Sequence, residues 1–162
     1  MSGWHDIAGV YLLVVEVMED VVLSIGSLGP SPFPRGLYLY VGSGQGGVMR
    51  RLKRYFDGVR NPRWHIDHLL TSGVARAVCG IVFQLPRRYE CLLAGYLGSI
   101  TRYPVGRFGS SDCSCPSHLY IVGDPDEIVS GLSERLGLKP IIYSPSGRPS
   151  PSRTASGLAR GF

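Results

Sequence analysis

Residues 37–56 read LYLYVGSGQGGVMRRLKRYF, and three kinds of local order follow one another within them. Leu37 to Val41 alternates with a period of two, the pattern of a strand. Tyr38 and Tyr40 fall on one face of that strand, and Leu37, Leu39 and Val41 on the other. Ser43-Gly44-Gln45-Gly46-Gly47 is a glycine loop. From Gly46 or Gly47 to about Phe56 the period becomes helical, with Val48, Leu52 and Tyr55 on one stripe. At about 100° per residue, Arg51 lies at the edge of the stripe and reaches inward. Arg50 and Arg54 point nearly the opposite way, toward solvent or the backbone of a ligand.

Working outward from this segment, residues 8–17, with GVYLLVVEV, read as a strand. Glu19-Asp20 supplies a turn into a second strand, Val21 to Ile25, giving an N-terminal hairpin. Gly26 to Gly36 carries Pro30, Pro32 and Pro34 and reads as a loop. Asn61-Pro62 breaks the chain after the basic helix, and WHIDHLL at 64–70 reads as a short helix. Ala75 to Leu85 is a strand ended by Pro86. Arg88 to about Ile100 is a helix with Leu92, Leu93, Tyr96, Leu97 and Ile100 as its apolar face, and Glu90 lies in its first turn. Residues 106–117 form a polar loop, and His118 to Val122 the final strand. Asp124 is an N-cap, Pro125 takes the first helical position, and Glu127 follows three residues after the cap. That helix ends at Gly137. The expected architecture is α/β of the α+β type, a small, mainly antiparallel sheet flanked by helices, over residues 1–143. Residues 144–162 are rich in Ser, Pro, Gly and Arg and read as a mostly disordered basic tail.

A chain of 162 residues is about one domain, and 44% hydrophobic composition supports a packed core. No run of about 18 apolar residues is present, so no membrane span is expected. No basic-then-apolar leader opens the chain, which makes a cytoplasmic location the expectation. The net charge is +5. It is concentrated: Arg50, Arg51, Lys53, Arg54, Arg60 and Arg63 share one short stretch with Asp57 as its acid. That concentration points to a phosphate-facing surface and a nucleic-acid partner. His65 follows the stretch and is a candidate phosphate contact. Cys79, Cys91, Cys113 and Cys115 show no disulfide-scaffold density, so reduced thiols are expected.

An ordered series of segments resembles a known superfamily. The segments are Gly9-Val10-Tyr11, FPRGLYLYVGSG from Phe33 to Gly44, Arg51 to Tyr55, WHIDHLL, Glu90-Cys91, and FGSSDCSCPSHL from Phe108 to Leu119. Over most of residues 8–122 the chain resembles a small, largely archaeal subgroup of the GIY-YIG nucleases, whose members are sometimes fused to an endonuclease III-like glycosylase. The resemblance implies metal-dependent hydrolysis of phosphodiesters in DNA, with a role in DNA repair. Matched by motif, it implies a site of Tyr11, Tyr40, Arg51 and Glu90. Glu90 would hold Mg²⁺ or Mn²⁺, and Arg51 would grip phosphate oxygens in a bidentate pair. Tyr11 or Tyr40 would act as base or orient the attacking water, provided Arg51 and the metal favour the phenolate.

The pattern departs from the nucleases in three ways. The interval between the tyrosine motifs is long, because residues 18–34 add a hairpin and a loop. Tyr55 stands where the nucleases often carry histidine one turn after the arginine, and either replaces it in the site or packs. No late asparagine is placed. These departures support an alternative, a noncatalytic nucleic-acid-binding module on the same fold. A further alternative is a zinc-stabilised interaction domain. Cys113, Cys115 and His118 suit zinc, with a fourth ligand from Cys79, Cys91 or His65. Asp112 and His118 belong either to this cluster or to the cleavage site, and the plainer alternative is a buried thiol in a turn.

Overall fold

The computed structural model describes residues 6–145 and the backbone of 149–151. Strand β1 (Gly9–Val17) runs through the middle of the molecule, and both of its faces are covered. Tyr11, Leu13, Val15 and Val17 enter one core, and Val10, Leu12 and Val14 enter the other. That is why its sequence is nearly unbroken in apolar residues rather than alternating. Six strands form the main sheet in the order β6-β4-β1-β5-β7-β8. They are β4 (Gly36–Gly44), β5 (Ala75–Phe83), β6 (Leu119–Val122), β7 (Ile141–Tyr143) and β8 (Pro149–Pro151) around β1. Every pairing is antiparallel. In β5 the register against β1 shifts between Val14 and Val15, a bulge that bends the strand.

Helices α1 (Val48–Asp57) and α2 (His65–Leu70) cover the Tyr11 face of the sheet. Helices α3 (Tyr89–Ile100) and α4 (Pro125–Leu136) cover the other. The protein is thus an α+β fold. Helix α4 begins as its sequence predicts: Asp124 Oδ1 accepts from the N–H groups of Asp126 and Glu127, and Gly137 closes it in the left-handed conformation. None of the helices among the described residues is long and apolar enough to cross a membrane.

Four expectations are corrected. Val21 does not start a strand paired with β1. Strand β2 (Val21–Ser24) pairs with β3 (Pro30–Phe33) in a separate two-stranded sheet. The proline-rich segment was expected as a loop, but a two-stranded ribbon has open edges, and a proline facing an edge forfeits no ladder bond. This hairpin places Ile25 and Phe33 in the Tyr11-side core. On α3, Leu92 and Ile100 are 59% and 50% exposed, and the buried face is Leu93, Ala94 and Leu97. Strand β6 is not the last, since β7 and β8 follow it beyond α4. Within the expected tail the backbone of 149–151 pairs with β7, and residues 146–148 and 152–162 lie outside the described residues.

Candidate functional site

A cleft of about 470 Å³ gathers Tyr40, Arg51, Tyr55, Trp64, His65 and Glu90. Arg63, Arg87 and Asp112 line it as well. Tyr40 comes from β4, Arg51 and Tyr55 from α1, His65 from α2 and Glu90 from the first turn of α3. Residues far apart in sequence meet here because the glycine loop turns the chain from β4 straight into α1, laying that helix on the tyrosine face.

Tyr11 stands behind the cleft rather than in it. It is fully buried, and its hydroxyl is 2.7 Å from that of Tyr55. Tyr11 faces Gly42 across the β1–β4 ladder. A Cβ on Gly42 would lie 2.4 Å from the Tyr11 ring and hydroxyl, so the ring occupies the space that any side chain at 42 would need. The glycine of the Tyr40-Val41-Gly42 triplet is therefore required by its cross-strand neighbour.

The loop before β6 closes the other side. Gly109 has φ +71°, and a Cβ there would be 2.8 Å from the Tyr40 ring. Its N–H donates to His65 Nδ1 at 2.8 Å. That bond leaves Nδ1 unprotonated, so the neutral imidazole carries its proton on Nε2 and is a donor there. Burial, with His68 nearby, holds the His65 pKa below its usual value. Phe108 packs tilted against His65 and edge-on against Tyr40 and Phe33, with ring centroids 5.6, 6.1 and 6.0 Å away.

Burial also sets the protonation of the phenols. Tyr11, Tyr40 and Tyr55 all have pKa values raised above 10, because desolvation outweighs every favourable partner. Arg51 acts on all three in the opposite direction, toward ionisation. Each phenol keeps its proton at neutral pH. The Glu90 carboxyl is also raised, by burial first, with Asp112 adding to the rise while Arg87 and Arg51 oppose it.

The basic residues divide into distinct groups. Arg51 enters the cleft with its guanidinium 5.0 Å from the centre of the Trp64 ring. Arg50 is exposed and 3.6 Å from Asp6, and Lys53 is exposed. Arg60 and Arg63 are exposed and line a second depression of about 400 Å³ next to Trp64. Arg54, expected to face solvent or the backbone of a ligand, lines the same depression and is also held by an internal partner. Its guanidinium makes two 2.7 Å hydrogen bonds to Asp67, which is fully buried, and a third to the Asn61 carbonyl. The sequence places Arg54 on the polar side of α1, but α2 packs across that side and brings a carboxylate to it.

Some of the lining is not signalled by any motif. Arg87 reaches the cleft from a connecting segment whose course depends on the packing around it, whereas Trp64, at the head of the WHIDHLL stretch, reaches it as the N-cap of α2. Asp112 pairs with Arg87 at 3.2 Å and stands in the cleft. It does not join the cysteines. Cys91 does: Cys91, Cys113, Cys115 and His118 each bring one ligand atom to within 4.8 Å of all the others, a group able to hold a metal ion. Cys79 is buried in the core facing α3 and α4 and is not a member of this group.

The family model described as Domain of unknown function DUF123 matches residues 10–138. No curated protein matches the chain, and no solved structure does.

Proposed function

We propose that this chain, which belongs to the DUF123 family, is a GIY-YIG-type endonuclease that hydrolyses phosphodiester bonds in DNA, in the service of repair. The observation that carries this reading is the convergence of Arg51, Tyr40, Tyr55, His65 and Glu90 on one cleft from four separate elements. A scissile phosphate needs fixed cationic donors, an oriented water and an acid ligand for a cation, and these side chains supply one of each kind.

Arg51 presents a planar fork that matches two phosphate oxygens. Trp64 lies against that guanidinium, which limits its rotation. His65 offers its Nε2 proton to a third oxygen. Tyr40 and Tyr55 face the cleft with hydroxyls that hold the attacking water in line, and Tyr11 fixes Tyr55 from behind. Glu90, with Asp112 in the same cleft, fits Mg²⁺ or Mn²⁺, which take oxygen ligands from one or two carboxylates and complete their shell from the substrate. Such an ion would supply polarisation of the phosphoryl group and stabilisation of the leaving oxygen. Arg51 is the residue-borne influence that draws the phenols of Tyr40 and Tyr55 toward acting as base. Beyond the cleft, Arg60 and Arg63 line the depression next to Trp64, a path for the strand backbone.

One observation favours a second reading, a module that binds nucleic acid without cutting it. Burial raises the pKa of Tyr11, Tyr40 and Tyr55, which keeps their protons in the free protein, and His65 presents a donor rather than a base. The two readings separate in one assay. Supercoiled plasmid and a panel of branched and single-stranded oligonucleotides are incubated with the protein and Mg²⁺ or Mn²⁺. The expected result is metal-dependent cleavage, abolished in Glu90→Ala and reduced about 100- to 1000-fold in Arg51→Ala. Binding across the panel with no product would replace the nuclease by the binding module.

A further inference from the structure

Three thiols and an imidazole meet beside the cleft. Cys91 is in the first turn of α3, Cys113 and Cys115 are on the loop before β6, and His118 immediately precedes β6. Their ligand atoms lie within 4.8 Å of one another, and Cys113 Sγ is 3.5 Å from His118 Nε2. A tetrahedral zinc ion, with Zn–S of about 2.3 Å and Zn–N of about 2.05 Å, requires S···N edges of about 3.5 Å and S···S edges of about 3.8 Å. The observed pair already has the first spacing, and the remaining distances, all within 4.8 Å, need contract by at most about 1.3 Å.

The loop is built to hold this arrangement. Arg107 adopts φ 63°, a left-handed conformation rare outside glycine. Its guanidinium donates to the carbonyls of Cys115 at 2.8 Å and Cys113 at 2.7 Å, and its N–H to the Pro116 carbonyl at 2.6 Å. One side chain thus holds the backbone of both loop cysteines. A depression of about 310 Å³ lined by Cys91, Cys113, Arg87 and Arg88 gives an ion a way in. All four cysteines are free thiols.

Besides Cys113, the His118 ring has the Val41 backbone as a hydrogen-bonding partner and the Glu90 carboxylate as a neighbour. His118 Nδ1 is 3.3 Å from Glu90 Oε1, and its side chain is 1% exposed. We propose that Cys91, Cys113, Cys115 and His118 form a structural zinc site, and that His118 couples it to the cleft, with Nε2 on the metal and Nδ1–H donating to Glu90. Four protein ligands close the coordination sphere, which makes the ion structural. Soft sulfur donors favour zinc over the hard cations suited to the cleft. Each thiol releases its proton to solvent as the metal binds. With Nε2 on the metal, the ring proton is confined to Nδ1, and Glu90 becomes the carboxylate that orients a ligating histidine. One oxygen of Glu90 is then committed to His118, while Glu90 also lines the cleft. Glu90 is therefore a positioning residue for the zinc as well as the acid of the cleft. The first role is read from metal binding alone and stands apart from the cleavage reading.

The test uses the full chain purified under reducing conditions. Metal analysis should find zinc at one equivalent per chain. Replacement by Co²⁺ should give thiolate charge-transfer bands and the intense visible absorption of tetrahedral cobalt. Cys113→Ser and Cys115→Ser should lose both signatures, and Cys79→Ala should keep them. Should a cysteine variant fail to fold, cobalt titration of the metal-stripped wild-type chain still decides the matter. Glu90→Ala should lower zinc affinity by about 10- to 100-fold in competition with a chelator, while Glu90→Gln, which retains an acceptor, should lose less. A reduced chain that binds no zinc, an octahedral cobalt spectrum, or a disulfide within the group would overturn the site. Unchanged zinc affinity in Glu90→Ala would overturn its coupling to the cleft.

Discussion

His65 shows how one hydrogen bond decides a side chain's chemistry. The Gly109 N–H fixes its tautomer, and burial disfavours its charged form. Its folded pKa lies below the ordinary 6.5, so the folded chain binds fewer protons than the unfolded chain in the interval between the two values. Stability is then full above pH 6.5 and is lost as pH falls through the folded value. Thermal midpoints recorded between about pH 8 and pH 5 should decline on the acid side in the wild type and decline less in His65→Asn. Asparagine retains an acceptor for the Gly109 N–H but does not titrate. Parallel profiles for the two proteins would remove His65 from the account. The sequence marks His65 only as a polar residue after a basic run. Its tautomer depends on a backbone group 44 residues away.

Helices α1 and α2 are joined through a single carboxylate. Asp67 accepts from Arg54 twice and from the N–H groups of Arg63 and Trp64, at 2.7 to 2.9 Å. It caps the short α2 and binds it to α1 in one stroke. The Arg54 side chain is 26% exposed and that of Asp67 is not exposed at all, so removing the arginine leaves a buried charge with only backbone partners. Arg54→Ala should therefore destabilise the fold by about 3–5 kcal/mol, read as a lowered denaturant midpoint. A loss within about 0.5 kcal/mol would show the pair to be incidental. The helical wheel reads Arg54 as a ligand-facing residue because periodicity gives only a direction from the helix axis. It cannot say that another helix lies in that direction.

At the scale of the whole molecule, exposed cations are spread over the described surface, and Arg60 and Arg63 are exposed ones that line the depression next to Trp64. Arg63 lines both the cleft and the neighbouring depression, and its contribution to the fold is a backbone N–H that alanine keeps. Arg63→Ala should leave stability unchanged and reduce the slope of log affinity for duplex DNA against log salt by about 0.9. An unaltered slope in salt-dependent binding titrations would place the phosphate path elsewhere. The sequence by itself determined the strand, glycine loop and basic helix of residues 37–56, the caps of α4, and the alternation that separates Tyr38 and Tyr40 from Leu39 and Val41. These features rest on backbone periodicity and on local hydrogen bonds between residues a few positions apart. Only the tertiary structure decided that the prolines of β3 pair with β2, that Arg54 is committed to Asp67, and that Tyr11 lies behind Tyr55. It alone decided that Cys91 rather than Asp112 completes the group with Cys113, Cys115 and His118. Each of these depends on which element packs against which, and that is settled by the joint burial of both sheet faces. No local window of sequence contains that information.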